Sequence, residues 1–156
     1  MQITSASFAD GEMIPLTFAE KDAGGENRSP QLSWSGAPEG ARSYALTIYD
    51  PDAPTGSGFW HWVAFNIPLS TTELAEGEAL PDGAREWLND YGYEGYGGAC
   101  PPPGRTHRYI HTVHALDVES LDVPQGATCA QARFMLMAHS IDSASITPLF
   151  ALPDQG

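Results

Sequence analysis

The stretch YALTIYDPDAPTGSGFWHWVAFNI, residues 44–67, lays out two strands and the connection between them. Tyr44, Leu46 and Ile48 alternate with Ala45, Thr47 and Tyr49. Most of the six are apolar, the pattern of a strand covered on both faces. Pro51 and Pro54 stop it. A residue before proline is driven towards extended backbone, so Asp50 and Ala53 are held out of helix. A second run, His61 to Ile67, closes at Pro68. Strict alternation puts His61, Val63, Phe65 and Ile67 on one face.

Further out, His107 to Leu116 reads as a third strand. His107, Tyr109, His111 and Val113 share one face, and Arg108, Ile110, Thr112 and His114 take the other. Gln31 to Trp34 is a short strand between turn-rich segments. The sequence predicts one good helix from Thr128 to about Ile141. Thr128 is its cap, and Ala130, Phe134, Met137, Ala138 and Ile141 recur at the helical interval. Ser145 to Leu152 reads as a last strand, interrupted by Pro148 and so near a sheet edge. Residues 70–106 carry no long periodic segment, and a loop of this length in a compact domain is functional or disordered. Trp87, Tyr91, Tyr93 and Tyr96 argue for an ordered one. No repeat or linker divides the chain, so residues 1–156 read as a single, mainly β domain.

Charge excludes several classes of partner. Twenty acids against seven bases give a formal net charge of −13, and Lys21 is the lone lysine. Phosphate backbones and anionic lipid surfaces are repelled by such a field, which argues against nucleic-acid binding and membrane docking. No apolar run approaches the roughly 18 residues needed to cross a bilayer. Met1 to Asp10 lacks the basic and apolar regions of a signal peptide, so a cytoplasmic location is expected. Cys100 and Cys129 form no CxxC pattern and read as free thiols.

Most chemical motifs are missing. No Gly-Lys-Ser/Thr phosphate loop, no HExxH and no five-residue nucleophile elbow is present. His107 and His111 are separated by about 13 Å of strand, too far to ligate one ion, so neither a metal nor a cofactor is called for. Cys100 with His107 allows a nucleophile reading, but no neighbouring motif supports thiol activation. A cross-loop cluster survives. Asp50 and Asp52 end one strand, His61 opens the next, and His107 with Tyr109 opens another. Side chains at strand ends, carried on proline-stiffened loops, can meet without disrupting a core. Imidazoles and a phenol supply donors for a small anion, and carboxylates can fix imidazole tautomers. The same residues are also compatible with turn-capping aspartates and a satisfied buried histidine.

Taken together, Gly25 to Trp34, Asp50-Pro51-Asp52-Ala53-Pro54, Phe59-Trp60-His61-Trp62, Asn66-Ile67-Pro68 and Pro101 through His107-Arg108-Tyr109 resemble the phosphatidylethanolamine-binding protein family. Their order is similar to its bacterial, Raf-kinase-inhibitor-like branch, and the resemblance runs from about Phe8 to Leu152. It implies a large antiparallel sheet packed on a smaller one, with few helices, and a shallow pocket for phosphate-like anions or phospholipid head groups. By that resemblance Asp50 is the pocket-floor aspartate with Asp52 beside it. His61 opens the central strand, His107 and Tyr109 come from the His-Arg-Tyr signature, and Pro101 is the lip proline. Ala99 stands where relatives more often carry proline.

The expected function is binding or regulation through a phosphate-like or carboxylate group. Tyr109 O–H and His61 N–H would donate to the anion, while Asp50 and Asp52 orient imidazoles. Arg108 points away by strand parity. Two other readings stay open: a protein inhibitor of a kinase or protease, and an enzyme using His/Tyr acid–base chemistry. The resemblance also implies homodimerisation.

Overall fold

Three long strands lie side by side at the centre of the molecule. The computed structural model describes residues 1–154. Its strands are β1 (Gln2–Thr4), β2 (Leu32–Ser35), β3 (Ser43–Asp50), β4 (Phe59–Pro68), β5 (Glu73–Leu74), β6 (Arg85–Glu86), β7 (His107–Arg108), β8 (Ile110–Leu116), β9 (Ser140–Ile146) and β10 (Leu149–Phe150). A helix, α1 (Cys129–His139), and two single-turn 3-10 segments complete the elements. The large sheet is antiparallel in the order β6-β4-β3-β8-β9. A smaller sheet runs β1-β2-β5, and β10 pairs with β7. The fold is mainly β, with a large sheet, a small sheet and one main helix.

β3 is apolar on both faces because both are covered. Tyr44, Leu46 and Ile48 share a core with Ile3, Leu32, Trp34 and Leu74 of the small sheet. Ala45 belongs to a second core, with Val63, Phe65, Trp87 and Leu121, closed by Ala132 and Leu136 of α1. Each large aliphatic or aromatic side chain withdrawn from water in these layers contributes about 2 kcal/mol.

Alternation fails in β4, with a consequence for the site. Ile48 pairs with Trp62 and Tyr49 pairs with Trp60, so His61 is an extra residue without a register partner of its own. A second shift falls between Tyr44–Ile67 and Leu46–Ala64, next to Asn66, whose φ is +58°. Bulges of this kind re-aim side chains. The expected common face of His61, Val63, Phe65 and Ile67 is therefore broken. Val63 and Phe65 join the helix-side core, and Ile67 joins the small-sheet core. His61 leaves the helix side and packs edge-on against Tyr109.

Helix α1 also differs from its expected orientation. Thr128 caps it through a reciprocal pair: Gln131 N–H donates to Thr128 Oγ1, and Thr128 N–H donates to Gln131 Oε1. The buried residues, however, are Ala132 and Leu136. Phe134 is 78% exposed, and Met137 and Ile141 are exposed as well. Both sets of residues have helical spacing, so periodicity alone does not say which stripe meets the sheet. The helix ends at His139, and Ser140 to Ile146 form the edge strand β9 instead of strand beginning at Ser145.

The 70–106 segment is ordered by its aromatic polar tips. Trp87 Nε1–H donates to the Ala127 carbonyl, Tyr91 O–H to Gly98 and Tyr96 O–H to Phe18.

Candidate functional site

A cavity of about 130 Å³ opens at the end of the large sheet, where the β3–β4 connection, the 91–102 loop and β7 converge. Asp50, His61, His107 and Tyr109 supply its polar groups. Phe59, Tyr91, Pro54, Pro101 and Pro102 give it an apolar wall, and Cys100 also lines it. Five of the six residues singled out in the sequence thus share one cavity. Asp52 does not line it.

The strand geometry explains who faces inward. Asp50 continues the parity of Leu46 and Ile48 on the small-sheet side of β3. His107 and Tyr109 continue the parity of His111 and Val113. Tyr109 itself falls between β7 and β8, and its backbone N–H donates to the Pro148 carbonyl at 3.0 Å. Arg108 points outward, as parity requires.

Asp50 and His107 form the floor. Both side chains are about 3% exposed, and His107 Nδ1 lies 2.6 Å from Asp50 Oδ2. The other carboxylate oxygen accepts the Asp52 backbone N–H at 2.8 Å. Because a carboxylate only accepts, the His107 proton sits on Nδ1, which leaves Nε2 for a ligand.

Asp52 does not orient an imidazole. Its carboxylate accepts Arg108 Nη2–H at 2.8 Å, Nε–H at 3.0 Å and the Arg108 backbone N–H at 2.9 Å. Those hydrogen bonds and the adjacent guanidinium hold its pKa down at about 2. The residue staples β7 to the 51–58 loop from the solvent side. Strand parity put Arg108 outside, and Asp52 follows it there.

His61 differs in donor pattern from the expectation. Its Nδ1 lies 2.9 Å from the Gly97 carbonyl and 3.2 Å from that of Gly98. Two acceptors there require the proton on Nδ1, so the N–H is used by the loop. Burial lowers the His61 pKa, with the carbonyls and the Asp50 charge opposing that shift. The neutral ring presents Nε2 as an acceptor, and only protonation converts it into a donor.

Tyr109 is 2% exposed, and its hydroxyl has no hydrogen-bond partner. Burial, then the nearby Asp50 charge, push its pKa upward. It is therefore a neutral O–H donor at the cavity wall, beside the Asp50 carboxylate but without a well-formed hydrogen bond to it. Burial, followed by Glu20 and Asp22, also raises the Cys100 pKa, which is the reverse of nucleophile activation.

Tyr91 is a wall residue that the sequence pattern does not single out. Its ring packs on Phe59 and His61 with centroids at 4.7 and 5.5 Å. Only its place in an aromatic-rich loop hinted at an ordered role. The carbonyls of Gly97 and Gly98 that fix His61 carry no side-chain signature at all.

No helix is long and apolar enough to cross a membrane among the described residues. Compared with known proteins, residues 4–151 match the family profile described as phosphatidylethanolamine-binding protein. The Escherichia coli protein YbhB is 47% identical, with 97% of this chain and 100% of that protein covered. Escherichia coli YbcL is 44% identical over 97% of this chain and 87% of its own. The YbcL crystal structure superposes with a TM-score of 0.91, covering 97% of this chain and 98% of that one. A Chlamydia trachomatis homologue superposes at 0.82 with 34% identity, covering 95% of each chain. These matches span nearly the whole chain, and the protein belongs to the phosphatidylethanolamine-binding protein family.

Proposed function

We propose that the cavity receives the phosphate-like or carboxylate group of a small ligand, and that the protein acts by binding or regulation. The observation that carries this reading is the Tyr109 hydroxyl, a buried donor on the cavity wall that stands beside Asp50 without forming a good hydrogen bond. A buried unpaired hydroxyl costs about 1–3 kcal/mol, which an incoming ligand oxygen would recover. Beside it, His61 Nε2 accepts a hydrogen bond from a hydrogen phosphate or ligand hydroxyl when neutral, and donates one to an oxyanion when charged. The apolar rim of Phe59, Tyr91 and the prolines suits the methylene or glycerol part of a phospho-head group. The family name supports the same ligand class. A cytoplasmic setting accords with the free thiols of Cys100 and Cys129.

The test is titration of the protein with inorganic phosphate and with phosphoethanolamine, read by NMR shifts of the His61 and Tyr109 rings. Saturable shifts that weaken about tenfold in Tyr109→Phe are expected, one charge-assisted hydrogen bond being worth that much. Absence of saturation with either ligand at millimolar concentration overturns the reading.

A catalytic reading draws on the buried Asp50–His107 pair, which leaves Nε2 as a base. It requires turnover of a phosphoester or acyl substrate that disappears in His107→Gln. Binding without turnover across such a screen removes it.

A further inference from the structure

On the opposite face of the large sheet, beneath α1, lies a second cavity of about 180 Å³. Trp60, Ile110 and Tyr49 form its sheet side, and Leu136, Met137 and Arg133 its helix side. The bulge at His61 creates this division, since it turns His61 towards the first cavity while Trp60 stays on the helix face. Thr47, Thr112 and the His114 ring add polar groups on the sheet side, the rest of the wall is mainly apolar, and no carboxylate lines it among the described residues.

Arg133 supplies the guanidinium of this lining. Its guanidinium carbon lies 4.1 Å from the centre of the Trp60 ring. Its Nε is buried and has no hydrogen-bond partner. Among the described residues no ion pair reaches it. Arg85, which also lies against aromatic rings, differs because its Nη1–H donates to the Val123 carbonyl. In a chain of twenty acids and seven bases, a half-buried cation with no carboxylate partner among the described residues is set apart from the surface charge. Buried donors without partners are rare, and a charged one is costly.

The size and the charge specify an occupant. A cavity of about 150 Å³ accepts a benzene-sized ring. A guanidinium edge binds a carboxylate through two parallel N–H donors. We propose that this second cavity binds a small monocarboxylate with an aromatic or short aliphatic body. The carboxylate is held by the terminal N–H groups of the Arg133 guanidinium, and the body lies among Trp60, Ile110 and Leu136. The site is independent of the first cavity, being separated from it by the sheet.

Benzoate is the probe, with benzyl alcohol as its uncharged counterpart. The readouts are the Arg133 Nε–H and Trp60 indole N–H signals in ¹H–¹⁵N spectra. Benzoate shifts both saturably, and benzyl alcohol binds about tenfold more weakly or not at all. Arg133→Met abolishes the benzoate response while thermal unfolding stays cooperative, and Tyr109→Phe leaves it unchanged. Should Arg133→Met fail to fold, Ile110→Trp, which fills the cavity from the sheet, abolishes binding in its place. Equal binding of benzyl alcohol overturns the proposal, as do benzoate shifts confined to His61 and Tyr109 or benzoate binding that survives the cavity-altering variant.

Discussion

His107 Nδ1 lies 2.6 Å from Asp50 Oδ2, although the two residues are 57 positions apart in sequence and both side chains are almost wholly buried. The pair closes the ends of β3 and β7 over the cavity floor. Removing one partner leaves an uncompensated polar or charged group, which typically costs about 3–5 kcal/mol. Asp50→Ala should therefore lower the unfolding free energy by about 3 kcal/mol or more in urea titrations. His107→Ala should cost a similar amount, and the double variant less than the sum of the two. Strict additivity would show that the pair is not coupled.

How much of this pair could be read beforehand depends on the kind of signal. Parity along His107 to Val113 puts His107 and Tyr109 inward and Arg108 outward, because an alternating strand leaves no other choice. The proline that stops β3 and the prolines of the loop leading to β7 make an approach of Asp50 to His107 reasonable, but only the paired sheet brings it about. His61 required more. Its inward aim comes from one surplus residue in β4, and a bulge depends on cross-strand register, which a linear pattern does not carry. The helix shows the same limit: Phe134 and Leu136 both fit a 3.6-residue period, and the choice between them is made by what β4 offers. The sequence places Asp52 beside Asp50 and so suggests an imidazole partner, yet its partner is Arg108, the residue that parity turns outward.

Asp52 provides an acid-side prediction. Its folded pKa is about 2, below the ordinary 3.8. A depressed carboxylate contributes stability above pH 3.8 that is lost as pH falls through the folded value. The loss should occur between about pH 4 and pH 2 and shrink at high salt, since the Arg108 side chain is half-exposed. Carboxyl ¹³C titration should place Asp52 near 2, and Arg108→Ala should return it towards 3.8. A midpoint near 4 in the unmodified protein refutes the staple.

His111 and His114 act at milder pH. Both are buried, and desolvation lowers each pKa from 6.5 to about 4. The unfolded chain takes up protons first as pH drops below 6.5, so stability is full above that value and declines until about pH 4. For one such histidine the decline from pH 6.5 to 5.5 is about 1 kcal/mol. His111→Phe should flatten the stability–pH curve by that amount in this interval, whatever it does to stability at pH 8. A slope unchanged by the substitution would mean that His111 is not buried neutral.

His61 couples pH to the proposed ligand. Its lowered pKa keeps the ring neutral at pH 7, with Nδ1–H donating to the Gly97 and Gly98 carbonyls. A bound oxyanion favours the protonated ring, so affinity should rise as pH falls below 6.5. Sulfate is the suitable probe because its own charge is constant over this range. Its affinity should increase between pH 7 and pH 5 in the unmodified protein, and the increase should vanish in His61→Gln. A pH-independent sulfate affinity would remove His61 from anion recognition.

Gly98 tests the support behind these groups. A Cβ there would collide with the Phe18 carbonyl oxygen and would come within 2.6 Å of the Ala19 carbonyl carbon and the Glu20 nitrogen. Backbone cannot yield as a flexible side chain does, so Gly98→Ala must displace the loop, at a cost of about 1–3 kcal/mol. The Gly98 carbonyl also receives the Tyr91 O–H at 2.7 Å and lies 3.2 Å from His61 Nδ1. A shift of this one peptide therefore loosens the tautomer lock on His61 and the Tyr91 wall together. The variant should show a lower melting temperature, a displaced His61 ring signal and weaker phosphate binding, with the Asp50–His107 coupling intact. Gly92→Ala is the companion control, because nothing lies within 4 Å of a Cβ at that position although its φ of +99° also disfavours alanine. It should lose stability through backbone strain while the His61 signal stays in place. If both variants move His61 equally, contact at Gly98 is not what holds the ring.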